Sequence, residues 1–327
     1  MTKRIDWDHQ VGRRLKLRDL HVFMTVAQRG SMAKAAAELG VSQPVVSAVI
    51  AGLEHAIGVR LFDRSSRGVE PNLYGSALLK GGVLAFDELK QTVKEIEFLS
   101  DPTAGEVRIG CPETISAILP PIFERLTRRC PNVVFHVSEA ATPTLDLPQL
   151  RDRTIDLAVL RVRWPLPQHP IVDDLNIEEL FDDETVVVVG RESRWARSRK
   201  IDLAELVDEE WILPPGNTTN SIVVMEAFRT RGLRLPRVSF VTYSVTLRTN
   251  LLATGRYLSV LPRSMMSLYA RRMALKALPV KLAVRKWPVV IVTLKNRTLN
   301  PVARLFMEYL RAGVKALDAK GPSRWRD

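Results

Sequence analysis

Between Leu17 and Gln28, apolar residues at positions 17, 20, 23, 26 and 27 recur at helical spacing. A second helix is expected from Met32 to Leu39, with Ser31 as its N-cap and Gly40 as the glycine that closes it. A third begins after Ser42, takes Pro44 into its first turn, where a missing N–H does no harm, and runs to Ala56 or Ile57. The following VRLFDRSSRGVEPN predicts a short hairpin with a Ser/Arg/Gly turn. Asn72 is then placed to cap a long helix, Leu73 to Leu99. Within it Leu79, Gly82, Phe86, Leu89, Val93 and Ile96 alternate three and four residues apart, the seam of a coiled coil rather than the wider stripe of a helix on a globular core. Gly81-Gly82 costs about 1 kcal/mol per residue in a helix interior and is tolerated where two backbones pass closely.

SDPTAG, residues 100–105, has the composition of a linker. Beyond it the periods alternate. Strands are expected at Val107–Gly110, Val133–Ala140, Ile155–Leu160, Thr185–Val189, Val238–Tyr243 and Val289–Leu294. Helices are expected at Ile115–Arg129, near Leu147, and at Ser221–Arg231, Val245–Thr254 and Pro301–Leu317. Strands separated by helices predict parallel-type α/β sheet covered on both faces, and roughly 220 residues of it suit two linked lobes.

Composition narrows the class. The 327 residues are 46% apolar and 26% charged, as in ordinary soluble proteins, and two or three domains are the expectation. No uncharged apolar run approaches the ~18 residues of a membrane span, and MTKRIDWDHQ lacks a hydrophobic signal core. A cytoplasmic location without membrane partners is expected. Cys111 and Cys130 are too few for a disulfide framework and too isolated for a CxxC motif, so both read as buried, inert thiols. The net charge of +12 is uneven: residues 1–68 carry +5, 69–255 carry −6 and 256–327 carry +13. The excess points to an anionic partner but lies mostly away from the helix pair, where a solvated basic face explains it as well.

GSMAKAAAELGVSQPVVSAVIAGLE carries the chemistry. Ala36 is small where two helices cross, Gly40 suits a turn at positive φ, and Val46 is branched and apolar where the second helix meets its core. Those are the steric demands of a helix-turn-helix, although a plain helical subdomain meets them too. With Val46, Ile50 and Leu53 inward, Gln43, Pro44 and Ser47 fall on the exposed N-terminal face, where a recognition helix meets base edges of double-stranded DNA. Gln bonds adenine in bidentate fashion, Ser contacts base or phosphate, and Pro44 or Val45 packs on a thymine methyl. Ser31, Lys34 and Ser42 flank that face, and Arg64 and Arg67 at the hairpin tip are placed for phosphates or the minor groove. Ala48 and Val49 carry no polar group to read bases, which shifts weight to phosphates and DNA shape.

From Leu17 to Gly75 the sequence resembles the N-terminal signature of the LysR-type transcriptional regulators: the small-residue helix, the SQPxVS start, the LE-xx-G-xx-LF-xR run and the closing Gly stand at the family's spacing. RIG at 108–110, IDLAVLR at 155–161 and LSVLPRS at 258–264 resemble its effector-domain landmarks more loosely. The resemblance implies an α/β protein overall, with an N-terminal winged helix-turn-helix, a long dimerisation linker helix and a two-lobed, periplasmic-binding-protein-like effector domain. It also implies a homotetramer, a dimer of dimers, that bends promoter DNA in response to a small molecule, with RNA polymerase as a further candidate partner. The expected division is an extension over 1–16, a winged domain over 17–73, a linker helix over 74–99, a hinge over 100–105, an effector domain over 106–318 and a tail over 319–327. Leu79, Phe86, Leu89, Val93 and Ile96 are the expected dimer seam.

In such a two-lobed fold, ligands sit where strand ends and helix N-termini face a cleft. CPET places Thr114 there, at a position where family members often use a hydroxyl, and EAAT matches another contact loop, pointing to Thr142. Arg161 ends the IDLAVLR strand near the crossover between lobes, and LPPGNTT at 213–219 offers Pro214, Thr218 and Thr219. Each hydroxyl also reads as an N-cap, Thr219 somewhat more than Thr114. Arg161 points either to an anionic effector or to a hinge ion pair, and Glu113 argues against a bare carboxylate beside Thr114. An enzyme finds little support: the five His show no HExxH, and GxSxG and glycine-rich phosphate loops are missing from the sequence. Neither a metal nor a cofactor is called for. An architectural DNA-binding protein that ignores small molecules is the other alternative, and the two-lobed domain argues against it.

Overall fold

The structure, a computed structural model, describes residues 15–65, 68–140, 145–166, 169–282 and 287–318. Arg67, Thr142, the segment 1–14 of the N-terminal extension and the tail 319–327 lie outside the described residues. The chain divides into two units, Met1–Lys90 and Gln91–Asp327.

The first unit holds α1 (Leu17–Arg29), α2 (Met32–Leu39), α3 (Gln43–Ile57), the hairpin β1 (Phe62–Ser65) and β2 (Gly68–Pro71), and the start of α4 (Leu73–Ser100). Gly40 adopts φ 64°, releasing the chain from α2 in the left-handed conformation that a side chain disfavours. The axes of α2 and α3 then meet at 110°, as in a helix-turn-helix. Phe23, Val26, Ala35, Ala36, Val46, Ile50 and Leu53 form the core beneath the pair. The Val69 N–H donates to the Gly30 carbonyl at 2.9 Å, tying the wing to the α1–α2 turn. Ser31 Oγ accepts from the Lys34 N–H at 3.4 Å and Asn72 Oδ1 accepts from the Tyr74 and Gly75 N–H groups at 3.0 Å, so both expected caps form; Ser42 occupies the cap position of α3 without a side-chain bond.

Gly75 sits where α4 leaves the wing. A Cβ there would lie 2.0 Å from the Leu61 carbonyl oxygen, which already accepts from the Asn72 N–H at 3.0 Å. Neither backbone yields without breaking that junction, so Gly75→Ala should destabilise this unit by about 1–3 kcal/mol. Urea denaturation followed by circular dichroism checks this, and an unchanged midpoint would mean the junction is looser than its geometry.

The second unit contains two five-stranded sheets. The first lobe is built from β3 (Ala104–Gly110), β4 (Asn132–Ser138), β5 (Leu157–Arg161), β6 (Leu175–Asp182) and β12 (Pro288–Leu294), in the order β4-β3-β5-β12-β6. The second is built from β7 (Thr185–Gly190), β8 (Glu210–Leu213), β9 (Arg237–Val241), β10 (Leu258–Pro262) and β11 (Leu275–Ala277), in the order β11-β7-β10-β8-β9. In each lobe four strands point one way and the strand arriving from the other lobe runs against them: β12 between β5 and β6, and β7 between β10 and β11. The sheets are therefore mixed, correcting the parallel-type expectation; strands that cross between lobes enter from the opposite direction.

Both faces of each sheet are covered, which explains the unbroken apolar runs. Leu157 and Val159 of β5 enter one core while Ala158 and Leu160 enter another, and Val187 and Val189 of β7 part in the same way from Val186 and Val188. The covering helices are α5 (Glu113–Ser116), α6 (Pro120–Arg129), α7 (Pro148–Arg151), α8 (Thr219–Thr230), α9 (Val245–Ala253), α10 (Arg263–Tyr269) and α11 (Pro301–Asp318). The single helix expected over 115–129 is in fact α5 and α6, interrupted before Pro120-Pro121, whose first ring cannot follow a continuous helix. The linker is also shorter than expected: α4 extends through Ser100 and β3 begins at Ala104. Cys111 and Cys130 are free and buried; burial, with Glu139 nearby, pushes the Cys111 thiol up to about 12.

Candidate DNA interface and interlobe cleft

The exposed end of α3 presents Ser42, Gln43, Pro44 and Val45 together, while Val46 and Ile50 point into the core. Ser47 is half-buried one turn further on, and Ser31 is half-buried and occupied as the cap of α2. Lys34 on α2 and Arg64 at the end of β1 are exposed. These side chains offer hydroxyl, amide and cationic groups to a nucleic-acid partner.

Along α4 the five expected seam residues separate into two sets. Leu79 and Phe86 pack partly buried against the winged core, and the His21 ring lies 5.8 Å from that of Phe86. Leu89, Val93 and Ile96 are 43%, 53% and 58% exposed. Gly82 meets Leu20 and Met24 of α1, so the close approach expected between two backbones is made to side chains of the same chain.

In the second unit the carboxyl ends of β3, β5, β8 and β9 converge on a cleft between the lobes. Open α/β sheets place ligands at such strand ends, where the strand order reverses. Thr114 and Arg161 from the first lobe and Pro214 and Thr218 from the second line it, as the sequence leads one to expect. Glu113, Glu139, Thr219, Asn220, Tyr243 and Arg248 line it too. Thr218, not Thr219, caps α8, its Oγ1 accepting from the Ser221 N–H at 3.4 Å. Thr219 instead reaches back to the first lobe, its hydroxyl donating to the Arg161 carbonyl at 3.3 Å. Thr114 lies inside α5 and caps nothing, because Pro112 holds the cap position.

Arg161 is a hinge residue. Its guanidinium donates to the Trp287 carbonyl (3.4 Å), Asn220 Oδ1 (2.9 Å), the Asp183 carbonyl (2.6 Å) and Thr185 Oγ1 (2.9 Å). Asp183 and Trp287 stand at the two crossings between lobes, so one buried cation is held by neutral acceptors of both. Burial pulls its pKa down and the Asp183 carboxylate opposes this. A second link is made by Glu113, whose Oε2 accepts from the Val245 N–H at the start of α9 at 3.0 Å. Glu139 is held above the usual carboxylate range by burial first and then by the neighbouring Glu113 carboxylate, while the Glu113 backbone N–H pulls it down.

Arg248 escaped the sequence reading. It is 1% exposed on α9, where Val245, Arg248 and Leu252 share the buried face. An arginine on an apolar helical stripe was the available signal.

A winged helix-turn-helix with a polar recognition face, joined in one chain to a two-lobed α/β domain with a polar cleft, defines a DNA-binding regulator of transcription. The profile of bacterial regulatory helix-turn-helix proteins of the lysR family matches residues 17–76, and that of the LysR substrate-binding domain matches residues 100–315. The chain belongs to the LysR family of transcriptional regulators. It is similar to the HTH-type transcriptional regulator GbpR of Azospirillum brasilense, 29% identical over 95% of this chain and 91% of that one. It is also similar to the HTH-type transcriptional regulator TdcA of Escherichia coli, 27% identical over 90% and 91%. Among solved structures, a full-length OxyR variant from Pseudomonas aeruginosa shares the fold with a TM-score of 0.61 at 23% identity, covering 92% of this chain and 95% of that one. Full-length CbnR complexed with its target DNA does so with a TM-score of 0.51 at 24% identity, covering 92% and 100%. The relatives are named as regulators, and the family is not enzymatic. Among the described residues no single helix is long and apolar enough to cross a membrane, and no group of three or more His, Cys, Asp or Glu is placed to hold a metal ion.

Proposed function

We propose that this regulator binds operator DNA through α3 and the wing, and that a small molecule held between the lobes sets the shape in which it binds and bends that DNA. The observation that carries the reading is the composition of the cleft: Thr114 and Glu139 come from one lobe, Thr218, Tyr243 and Arg248 from the other. A ligand touching both makes different contacts in open and closed arrangements, which is the condition for shifting their balance. Assembly as a homo-oligomer through the exposed stretch of α4, as a dimer of dimers, and contact with RNA polymerase belong to the same proposal. DNase footprinting of the DNA beside the chain's own gene, with and without a metabolite extract, tests it: a protected region whose pattern changes with extract is expected, and protection indifferent to every small molecule would leave an architectural DNA-binding protein.

In this reading Gln43 reads a base while Arg64 holds phosphate; Arg67, outside the described residues, is proposed for the same role. Gln43→Ala should lose about 1–3 kcal/mol of preference between cognate and altered operators. Arg64→Ala should weaken every sequence alike and flatten the salt dependence of log K by roughly one unit. Binding titrations on cognate and random duplexes across a salt series separate the two outcomes, and equal losses on both duplexes for Gln43→Ala would remove its reading role.

A further inference from the structure

We propose that the interlobe cleft receives a small zwitterion, a molecule carrying one carboxylate and one ammonium group, with Arg248 meeting the carboxylate and Glu139 the ammonium. The inference rests on the effector reading above and names the chemistry of its ligand.

The cleft holds two buried guanidinium groups in opposite states. Arg161 spends four of its five N–H donors on acceptors of the protein itself. Arg248, at 1% exposure, donates from Nη1 to the Val260 carbonyl at 3.2 Å, while its Nε has no hydrogen-bond partner among the described residues. None of the ion pairs among those residues includes it. A guanidinium has five donors and keeps its charge; burying it without an anion costs several kcal/mol unless a partner arrives. Burial lowers its pKa only to about 10, so the cation persists at neutral pH. Glu113 stands close enough to be felt electrostatically but makes no ion pair with it among the described residues, and its Oε2 is turned to the Val245 N–H. A ligand anion would supply the hydrogen-bond partner that the Arg248 Nε lacks on this wall, and a carboxylate matches the planar fork.

The other half of the ligand follows from Glu139. This carboxylate lines the same cleft and faces that of Glu113, so two like charges share one wall and a cation between them and solvent is favoured. Counting Glu113, Glu139, Arg161 and Arg248, the charged liners balance. A balanced wall with separated signs favours a net-neutral dipolar ligand over a dianion, which would meet the glutamates. A neutral sugar would satisfy the hydroxyls of Thr114, Thr218 and Tyr243 but leave Arg248 without an anion.

Thermal-shift measurements on the full-length protein decide the matter. The probes are the proteinogenic L-amino acids at millimolar concentration, succinate and malonate, and D-glucose and D-galactose. At least one amino acid should raise the melting temperature, whereas its methyl ester, lacking the carboxylate, and its N-acetyl derivative, lacking the ammonium, should not. Arg248→Gln should abolish the shift, Arg248→Lys should restore part of it, and Glu139→Gln, a change that keeps the side chain's shape, should raise the concentration required about tenfold or more. Should both Arg248 variants melt before they can be titrated, the ester and N-acetyl comparisons on wild type and the Glu139→Gln titration carry the test. Stabilisation by dicarboxylates or sugars alone, an ester as effective as its parent acid, or no stabilisation by any amino acid would overturn the zwitterion. The first two results would leave the effector reading standing; that reading falls separately, when the footprint ignores metabolite extract.

Discussion

Asp156→Ala should cost the second unit about 3–5 kcal/mol, the penalty for removing one partner of a buried ion pair. Asp156 Oδ1 accepts from Arg297 Nη2 at 3.2 Å with both side chains 2% exposed, and Arg297 Nη1 donates to the Ile155 carbonyl at 2.6 Å. The second oxygen, Oδ2, accepts from the Arg108 N–H at 2.9 Å, and the Asp156 N–H returns a bond to the Arg108 carbonyl at 2.7 Å. One carboxylate thus joins β3, the start of β5 and the chain just after β12, three segments far apart in sequence. Alanine leaves a buried backbone donor and a buried cation facing a small void. Asp156→Asn keeps the shape and part of the hydrogen bonding, so it should lose less. Urea denaturation monitored by tryptophan fluorescence ranks the variants, and equal stability of wild type and alanine variant would show that water or other groups take over the carboxylate's bonds.

Val93→Glu should convert an oligomer into a predominantly monomeric protein. Val93 is 53% and Ile96 58% exposed, unlike Leu79 and Phe86, which the winged core already covers. A charge at Val93 therefore leaves the protomer's own packing nearly untouched but cannot be hydrated once two helices close on it. A two-fold interface takes each substitution twice. Two carboxylates at about 2 kcal/mol each, the low end for burying a polar group without a partner, raise the dissociation constant roughly a thousandfold. Sedimentation velocity across a concentration series reads this directly, with unchanged thermal melting as the control for folding. An unaltered oligomer would place the contact elsewhere. Phe86→Glu is the poorer probe, since it would disturb the core of the winged unit together with any seam.

The helix-turn-helix was legible because its requirements are local. Ser31 caps the turn three residues ahead, Gly40 ends α2 through its own φ, and Ala36, Val46 and Ile50 follow a helical period that any stretch of sequence displays. The cleft was legible in part, since strand ends and turns announce themselves by composition: Thr114, Arg161, Pro214 and Thr218 do line it. Their roles were not. Arg161 looked available to an effector because the carbonyl that meets its Nε belongs to Trp287, 126 residues further along. The seam residues divide for a related reason. Residues at a three-four spacing share one helix face whether a neighbouring helix or the protein's own core covers it, and the pattern does not say which.

Periodicity, capping and residue volume act over about four positions, and so the helices of the winged domain and the two-face burial of strands such as β5 and β7 follow from the order of residues alone. The mixed sheets, the assignment of β12 to the first lobe, the Trp287 carbonyl that meets Arg161 and the Arg297 cation that meets Asp156 come from chain crossings that join residues 126 and 141 positions apart. Contacts at that separation are chosen by the packing of whole layers, and no window of the sequence contains both partners.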